Sequence, residues 1–551
     1  MSDYGKLPAK FRFFLLTLGG LMLGLSFPPF HTGVLAAFAF VPFFIVFEDI
    51  ESYGGAFRSS YVMFFVLSLV SLTWVGGFTH AKDPYLMVAG ASLVFGHPLF
   101  MFVPVMAFVA IRKHLGFKAS AYAFPFIWTA FEYLHSITQF AFPWLLLGNS
   151  HTYDTQSIQF ASVTGVYGVS FWLACMNVAA YVVYASVAVG RWRINSWQSV
   201  LAVLVLVVMY FVPKLYGSLT LDAGILEDGR IVRVGIVQPN IDPFEKWQEN
   251  AGKELATLRS VTERVRRNAT DLVLWPETAL PFFILSPRYE ELLDSVRRQV
   301  DSLGTGLLTG MPDIVYYRDA AQAPANSRVV KGTGQRYDLF NCSMLVQPRS
   351  SEIQKYSKIN LVPFAERVPY ADVLAFSPSL LQWNLGLGGW GIGTDTTIFR
   401  LRLSDSSTVK FANLICYESI YPGFVAAFVK KGAQFLTVIT NDSWWGNTFG
   451  PYQHVQIAVF RAIENRRWVV QCANGGISCF IDPLGNIIQR TDMYTIATPV
   501  GEVKARTGLT FYSKHGDVFA QTTLWISLMI LAAAVGKKFY IVKRRADDAH
   551  D

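Results

Sequence analysis

Asn413-Leu414-Ile415-Cys416-Tyr417-Glu418-Ser419 closes an apolar, β-prone run that begins at Val409 and stops abruptly at a thiol followed by polar groups. The pattern predicts a strand that delivers Cys416 to a sharp turn, with its sulfur at the strand end and the Tyr417 backbone N–H aimed at a bound carbonyl oxygen. A lone cysteine on an apolar strand is more often a small core hydrophobe than a nucleophile. Two further segments change that balance. Asp271-Leu272-Val273-Leu274-Trp275-Pro276-Glu277 runs an apolar strand into a proline and sets a carboxylate just beyond it. Tyr356-Ser357-Lys358-Ile359-Asn360-Leu361-Val362-Pro363-Phe364-Ala365-Glu366 sets a lysine and a second carboxylate around another proline-marked turn. Glu277, Lys358 and Cys416 at three strand ends supply a base, a cation for an oxyanion and a nucleophile, which together suffice for acyl transfer.

These three residues lie 81 and 58 residues apart, in the order Glu, Lys, Cys, and in this the chain resembles the nitrilase, or carbon–nitrogen hydrolase, superfamily. The strings Trp275-Pro276-Glu277-Thr278, K-x-x-L-V-P-F-x-E-x-V-P from Lys358 to Pro369, and Ile415-Cys416-Tyr417-Glu418, with apolar segments on both sides, are similar to the branch of that superfamily that acylates lipoproteins in the membrane. The resemblance implies an α/β fold, the nitrilase αββα sandwich, inserted between transmembrane helices. It also implies a phosphatidylethanolamine-type phospholipid donor, a thioester on Cys416 and a lysophospholipid product. The acceptor it implies is the α-amine of the S-diacylglyceryl cysteine of apolipoproteins, in the last step of their maturation. Neither cofactor nor metal is implied. Trp247 matches a tryptophan that the family uses at its site, although tryptophan is also a common packing residue. Glu366 reads as a partner that keeps Lys358 charged and Glu418 as a group that orients the elbow; the alternative for each is a fold-stabilising ion pair.

Composition points to a membrane protein independently of these motifs. Hydrophobic residues make up 52% of the chain and charged residues 16%, too apolar a balance for an ordinary soluble protein. Long apolar runs fill the chain to about residue 216, whereas residues 221–513 alternate short β-like runs with helical patterns and Pro- and Gly-bearing turns. The expected organisation is a membrane domain over 1–220 with seven transmembrane helices, a catalytic domain over 221–513, and an eighth helix with a basic tail over 514–551. The eight candidate spans are 13–27, 34–47, 61–78, 86–111, 119–133, 158–189, 200–212 and 518–535. Residues 1–27 resemble a signal peptide in charge pattern, but no small-residue cleavage site follows them, so they are expected to remain as the first helix.

Other residues leave alternatives open. Trp144, in Phe142-Pro143-Trp144, is either an interfacial anchor or a lipid or substrate contact, and the resemblance favours the second. Glu132 near a span end is either functional or a solvated interfacial acid. Trp383 and Trp390 flank a Gly-rich stretch that reads either as core packing or as a lid meeting the bilayer. His454 offers a rival base for Cys416, although a histidine at a helix start more often serves local hydrogen bonding. Cys342, Cys472 and Cys479 lie on apolar strands as packing residues, with a disulfide between two of them open in an oxidising compartment. The five cysteines show no zinc spacing. The formal net charge of +8 partly reflects basic membrane anchors, and no nucleic-acid motif accompanies it. A membrane-anchored amidase with the same triad would need one span for anchoring, and a transporter would need polar residues midway along several spans.

Between residues 119 and 190 there is no lysine or arginine, whereas Arg58, Arg112, Lys113, Lys118, Arg191, Arg193 and Lys537 to Arg545 fall on the opposite side of the expected spans. The positive-inside rule therefore sets the catalytic domain on the periplasmic, or outer, face of a bacterial cytoplasmic membrane. A reporter active only outside the cytoplasm should work when fused after Tyr216 and be silent after Lys538. The reverse pattern would put the catalytic domain on the wrong side for its expected substrates.

Overall fold

Near-continuous apolar runs such as Phe435–Thr440 need cover on both faces, and residues 230–505 provide it by stacking two sheets. The computed structural model describes residues 7–76, 84–187, 197–221, 224–244, 246, 251–265, 270–324, 327–370 and 389–547. Its strands are β1 (Arg230–Ile236), β2 (Leu272–Leu274), β3 (Gly306–Tyr316), β4 (Arg328–Val329), β5 (Arg336–Val346), β6 (Ile353–Ser357), β7 (Phe399–Arg402), β8 (Thr408–Ile415), β9 (Phe435–Thr440), β10 (Val469–Ala473), β11 (Cys479–Ile481), β12 (Ile487–Arg490) and β13 (Val500–Ala505). The first sheet runs β13-β1-β2-β3-β5-β4 with β6 also paired to β5; the second runs β12-β11-β10-β9-β8-β7. Both have parallel centres, β1 with β2 and β3 in one and β8 with β9 and β10 in the other.

Strand alternation sorts the side chains into layers. Val232, Val234 and Ile236 of β1, with Leu272 and Leu274, lie in one buried cluster with Phe399, Leu401 and Phe411, the residues of β7 and β8 that face the first sheet. Val273 and Trp275 turn the other way, onto the helices Ala251–Val265 and Glu290–Leu303. The helices Pro422–Lys430 and Phe449–Asn465 pack on the second sheet. The result is the expected αββα sandwich. Three strands lie beyond the sequence reading, β4, β12 and β13. The last of these pairs antiparallel with nearly all of β1, from Arg230 against Ala505 to Gly235 against Val500. It escapes notice because much of it is only half-buried and it carries little apolar density.

Among the described residues six helices are long and apolar enough to cross a membrane, fewer than the eight spans expected. Residues 34–47 form a 3-10 turn, Gly33–Ala37, and a seven-residue helix, Val41–Phe47. Phe40, Phe43, Phe44 and Phe47 are all fully buried, so this aromatic run packs into the interior of the helical domain. The stretch over 86–111 is interrupted at Met101, between helices Pro84–Phe100 and Phe102–Leu115. Pro104 explains the break, since its ring would collide with the Phe100 carbonyl in a continuous helix. The expected span over 158–189 begins later, at Val166, after Gly165 takes a positive φ of 68°. Helix Phe117–Ser136 has 20 residues, with Lys118 and Glu132 within it.

The two halves meet at Gln453 on helix Phe449–Asn465. Its amide N–H₂ donates to the carbonyls of Pro28 at 3.0 Å and Ser71 at 3.3 Å, and its Oε1 accepts from the indoles of Trp74 at 3.0 Å and Trp144 at 2.7 Å. All four bonds are buried. Gln453→Ala leaves the buried Pro28 carbonyl and the Trp144 indole without partners, an expected loss of roughly 2–4 kcal/mol. It should read out as a lowered melting temperature in detergent and faster proteolysis between the halves, whereas an unchanged protein would show that this junction contributes little.

Candidate active site

Cys416 sits immediately beyond β8, with a backbone φ of 53°. That left-handed conformation is costly for a residue with a Cβ and persists where the surroundings over-determine it. Two other non-glycine positions of the same kind lie in the loops that carry its expected partners: Thr278 (φ 45°), next to Glu277, and Phe364 (φ 65°), between Lys358 and Glu366. Three strand ends thus bend sharply toward one point.

At that point Lys358 Nζ lies 2.9 Å from Glu366 Oε1 and 3.4 Å from Glu277 Oε1. Its side chain is 1% exposed. Burial alone would drive the ammonium toward the neutral amine, but Glu366 and Glu277 outweigh it and hold the pKa above that of an ordinary lysine. The Cys416 thiol is pushed well above its usual range, first by burial and then by the Glu277 charge, with Lys358 acting in the opposite sense. The resting sulfur is therefore held toward the thiol form, and a base would be needed to make it a nucleophile.

Asn341 and Lys246 complete the cluster, and the sequence reading missed both. Asn341 Nδ2 donates to Glu277 Oε1 at 2.8 Å and to Glu366 Oε1 at 3.2 Å, joining the two carboxylates. Its signal was an amide in the middle of the apolar strand β5. Lys246 is buried, and its Nζ donates to the Glu277 carbonyl and to Thr278 Oγ1, each at 3.1 Å. Burial lowers its pKa to about 8, opposed by the Glu254 and Glu277 charges. It pins the strained turn after Glu277 from below.

Glu418 does different work from Glu366. Its Oε1 accepts from the Tyr356 hydroxyl at 2.6 Å and the N–H groups of Ile359 at 2.7 Å and Asn360 at 3.2 Å, while Oε2 accepts from the Ile415 N–H at 2.8 Å. One carboxylate thus laces the lysine loop to the cysteine elbow. Burial raises its pKa to about 7 against these bonds. The Tyr417 hydroxyl donates to the Ala141 carbonyl at 2.9 Å, reaching into the helical half. Trp144 is buried beside Tyr417, with 6.5 Å between ring centroids, and its N–H is taken by Gln453. Trp390 is buried too, and its backbone N–H donates to the Glu366 carbonyl at 3.1 Å. Trp247 and Trp383 lie outside the described residues.

His454 is brought near Cys416 but not to its sulfur in the manner of a base: its Nε2 faces Ser419 Oγ at 2.8 Å and the Cys416 carbonyl at 3.3 Å. Glu132 is buried, with Oε1 accepting from the Trp128 indole at 2.9 Å and the Leu147 N–H at 2.7 Å, and so anchors the chain around Trp144. Cys342, Cys472 and Cys479 are buried free thiols; burial pushes Cys342 and Cys479 up to about 12. Among the described residues no group of His, Cys, Asp or Glu has the arrangement of a metal site.

Gly310 on β3 leaves room for the Glu277 turn. A Cβ there would stand 2.4 Å from the Thr278 nitrogen and 2.8 Å from the Glu277 Cα. Gly310→Ala should therefore displace the Glu277 backbone, lower the melting temperature, and cut activity of the protein that remains folded by about 100-fold, the usual consequence of a misplacement near 1 Å. Native activity in this variant would show that the turn tolerates movement.

Residues 19–179 match the model of the apolipoprotein N-acyltransferase N-terminal domain, and residues 233–510 match that of carbon–nitrogen hydrolases. An apolipoprotein N-acyltransferase of Chlorobaculum tepidum is 38% identical over 534 residues, covering 96% of this chain and 97% of the relative. One of Geobacter metallireducens is 31% identical over 546 residues, covering 98% of each.

Proposed function

This chain belongs to the apolipoprotein N-acyltransferase family, and from that premise we propose that it carries an acyl chain from a phospholipid, through a thioester on Cys416, to the N-terminal amine of lipoproteins. The observation that carries this reading is the convergence of Glu277, Lys358 and Cys416, from three separate loops, around one buried ammonium.

In the first half-reaction Glu277 takes the thiol proton and the sulfur attacks the ester carbonyl carbon of the phospholipid. The carbonyl π electrons move to oxygen, where Lys358 Nζ and the Tyr417 N–H stabilise the negative charge. Collapse expels the lysophospholipid alkoxide, which recovers the proton from Glu277. In the second half-reaction the neutral α-amine of an S-diacylglyceryl cysteine attacks the thioester, Glu277 takes the amine proton, and the thiolate leaves to be reprotonated. Glu366 and Asn341 keep Lys358 and Glu277 in register throughout. A phosphatidylethanolamine-type donor and a site on the periplasmic face of the inner membrane suit the lipid, the acceptor and the distribution of basic residues. A membrane-anchored amidase is the less favoured reading, because the family likeness extends through the helical half as well as the hydrolase-like half.

Incubated with phospholipid alone, the protein should gain one acyl mass on Cys416, removable by neutral hydroxylamine, with an equal amount of lysophospholipid released. A diacylglyceryl-cysteine peptide should then discharge it. Cys416→Ala and Glu277→Ala should not load, and Lys358→Arg should lose at least about 100-fold, because a planar fork replaces a compact ammonium between two carboxylates. Transfer by Cys416→Ala, or label on another cysteine, would overturn the assignment.

A further inference from the structure

Beneath the elbow lies a buried charged group that the chemistry above does not use. His454, Asp442 and Ser419 are each 0% exposed. His454 Nδ1 is 3.0 Å and 3.1 Å from the two Asp442 oxygens, and Asp442 Oδ1 also accepts from the Thr440 hydroxyl at 2.7 Å. On the other side of the ring, Nε2 faces Ser419 Oγ at 2.8 Å and the Cys416 carbonyl at 3.3 Å, and Ser419 Oγ itself donates to that carbonyl at 2.8 Å.

A carbonyl oxygen only accepts, so an unprotonated Nε2 would set its lone pair against that of the Cys416 oxygen. Every contact becomes attractive when both ring nitrogens carry protons: Nδ1–H to Asp442, Nε2–H shared between Ser419 Oγ and the Cys416 oxygen. The Asp442 charge favours the same state against the burial that opposes it. The Cys416 carbonyl then receives two donors, one of them cationic. That carbonyl belongs to the same peptide unit as the Tyr417 N–H. Hydrogen bonds accepted at one end of a peptide polarise it and strengthen the donor at the other.

We propose that Asp442, His454 and Ser419 are positioning residues that hold and polarise the Cys416–Tyr417 peptide, so that the Tyr417 N–H meets the developing oxyanion as a fixed, strengthened donor. This rests on the acyl-enzyme reading given above. It separates His454 from the role of thiol base, because the ring acts on the far side of the peptide and takes no proton from the substrate. It also accounts for a buried ion pair at a place where an apolar pair would pack more cheaply.

The test compares two reactions of the same thiol in the full-length protein in detergent micelles. Acyl loading from a phospholipid passes through an oxyanion; alkylation by iodoacetamide does not. Ser419→Ala removes one donor to the carbonyl without touching charge. The double variant Asp442→Asn with His454→Gln removes both charges together and leaves the local net charge unaltered. Each should slow loading by about 10- to 100-fold through kcat, with KM for phospholipid little changed, while the alkylation rate of Cys416 stays within about twofold of the wild type. A thionoester analogue, whose sulfur accepts hydrogen bonds poorly, should lose its disadvantage relative to the oxygen ester in both variants. Equal slowing of loading and alkylation would overturn the proposal in favour of a role in activating the thiol, and undiminished loading would overturn it outright. Should the double variant fail to fold, Ser419→Ala carries the same comparison. Absence of any acyl label on wild-type Cys416 would instead strike at the acyl-enzyme reading.

Discussion

A lysine ammonium withdrawn from water is costly, by several kcal/mol even after the protein relaxes around it, and the catalytic half is arranged around meeting that cost at Lys358. Two carboxylates, Glu277 and Glu366, must reach the same nitrogen, and Asn341 must bind both so that their like charges remain side by side. These groups come from the ends of β2 and β6, from the body of β5 and from the loop that follows Lys358. Their meeting fixes the order of strands in the first sheet and forces the sharp turns at Thr278 and Phe364. The second sheet then has one task at this edge, to bring Cys416 within the field of the same cation.

Three acidic residues near the thiol differ in task because they differ in partners. Glu277 has one oxygen committed to Asn341 and Lys358. Glu366 commits both, one to the lysine and Asn341 and the other to the Val362 N–H. Glu418 spends all its capacity on a hydroxyl and three backbone N–H groups, which makes it a joint between loops. Adjacency to Cys416 in sequence says nothing of this, since the chain turns through left-handed backbone between Ile415 and Glu418.

The strands that end in chemistry were legible because each pairs an apolar run with one abrupt polar group, and that contrast survives in one dimension. The αββα layering followed from the resemblance, while the alternation of strands and helices alone left other α/β folds open. What was lost depends on a partner far away in the chain. β13 is half-exposed and recognisable only beside β1. Lys246 reads as a surface charge until Glu277 is seen above it. The run at 34–47 has the composition of a span, and only the closure of aromatic neighbours around Phe40 and Phe43 shows that it is a short helix buried among the others. Histidine at a helix start reads locally, yet His454 bonds across 38 residues to the elbow.

Gln453 and His454 are consecutive residues of one helix, the first gripping four groups in the helical half and the second seated under Cys416. The helix is thus a rigid spacer with a fixed height. The height of the Cys416 sulfur relative to the apolar helices is therefore set by one element, and a slip of one helical turn at this junction would carry the elbow with it by about 5 Å. The element that grips the helical half is thus the same one that forms the floor beneath Cys416.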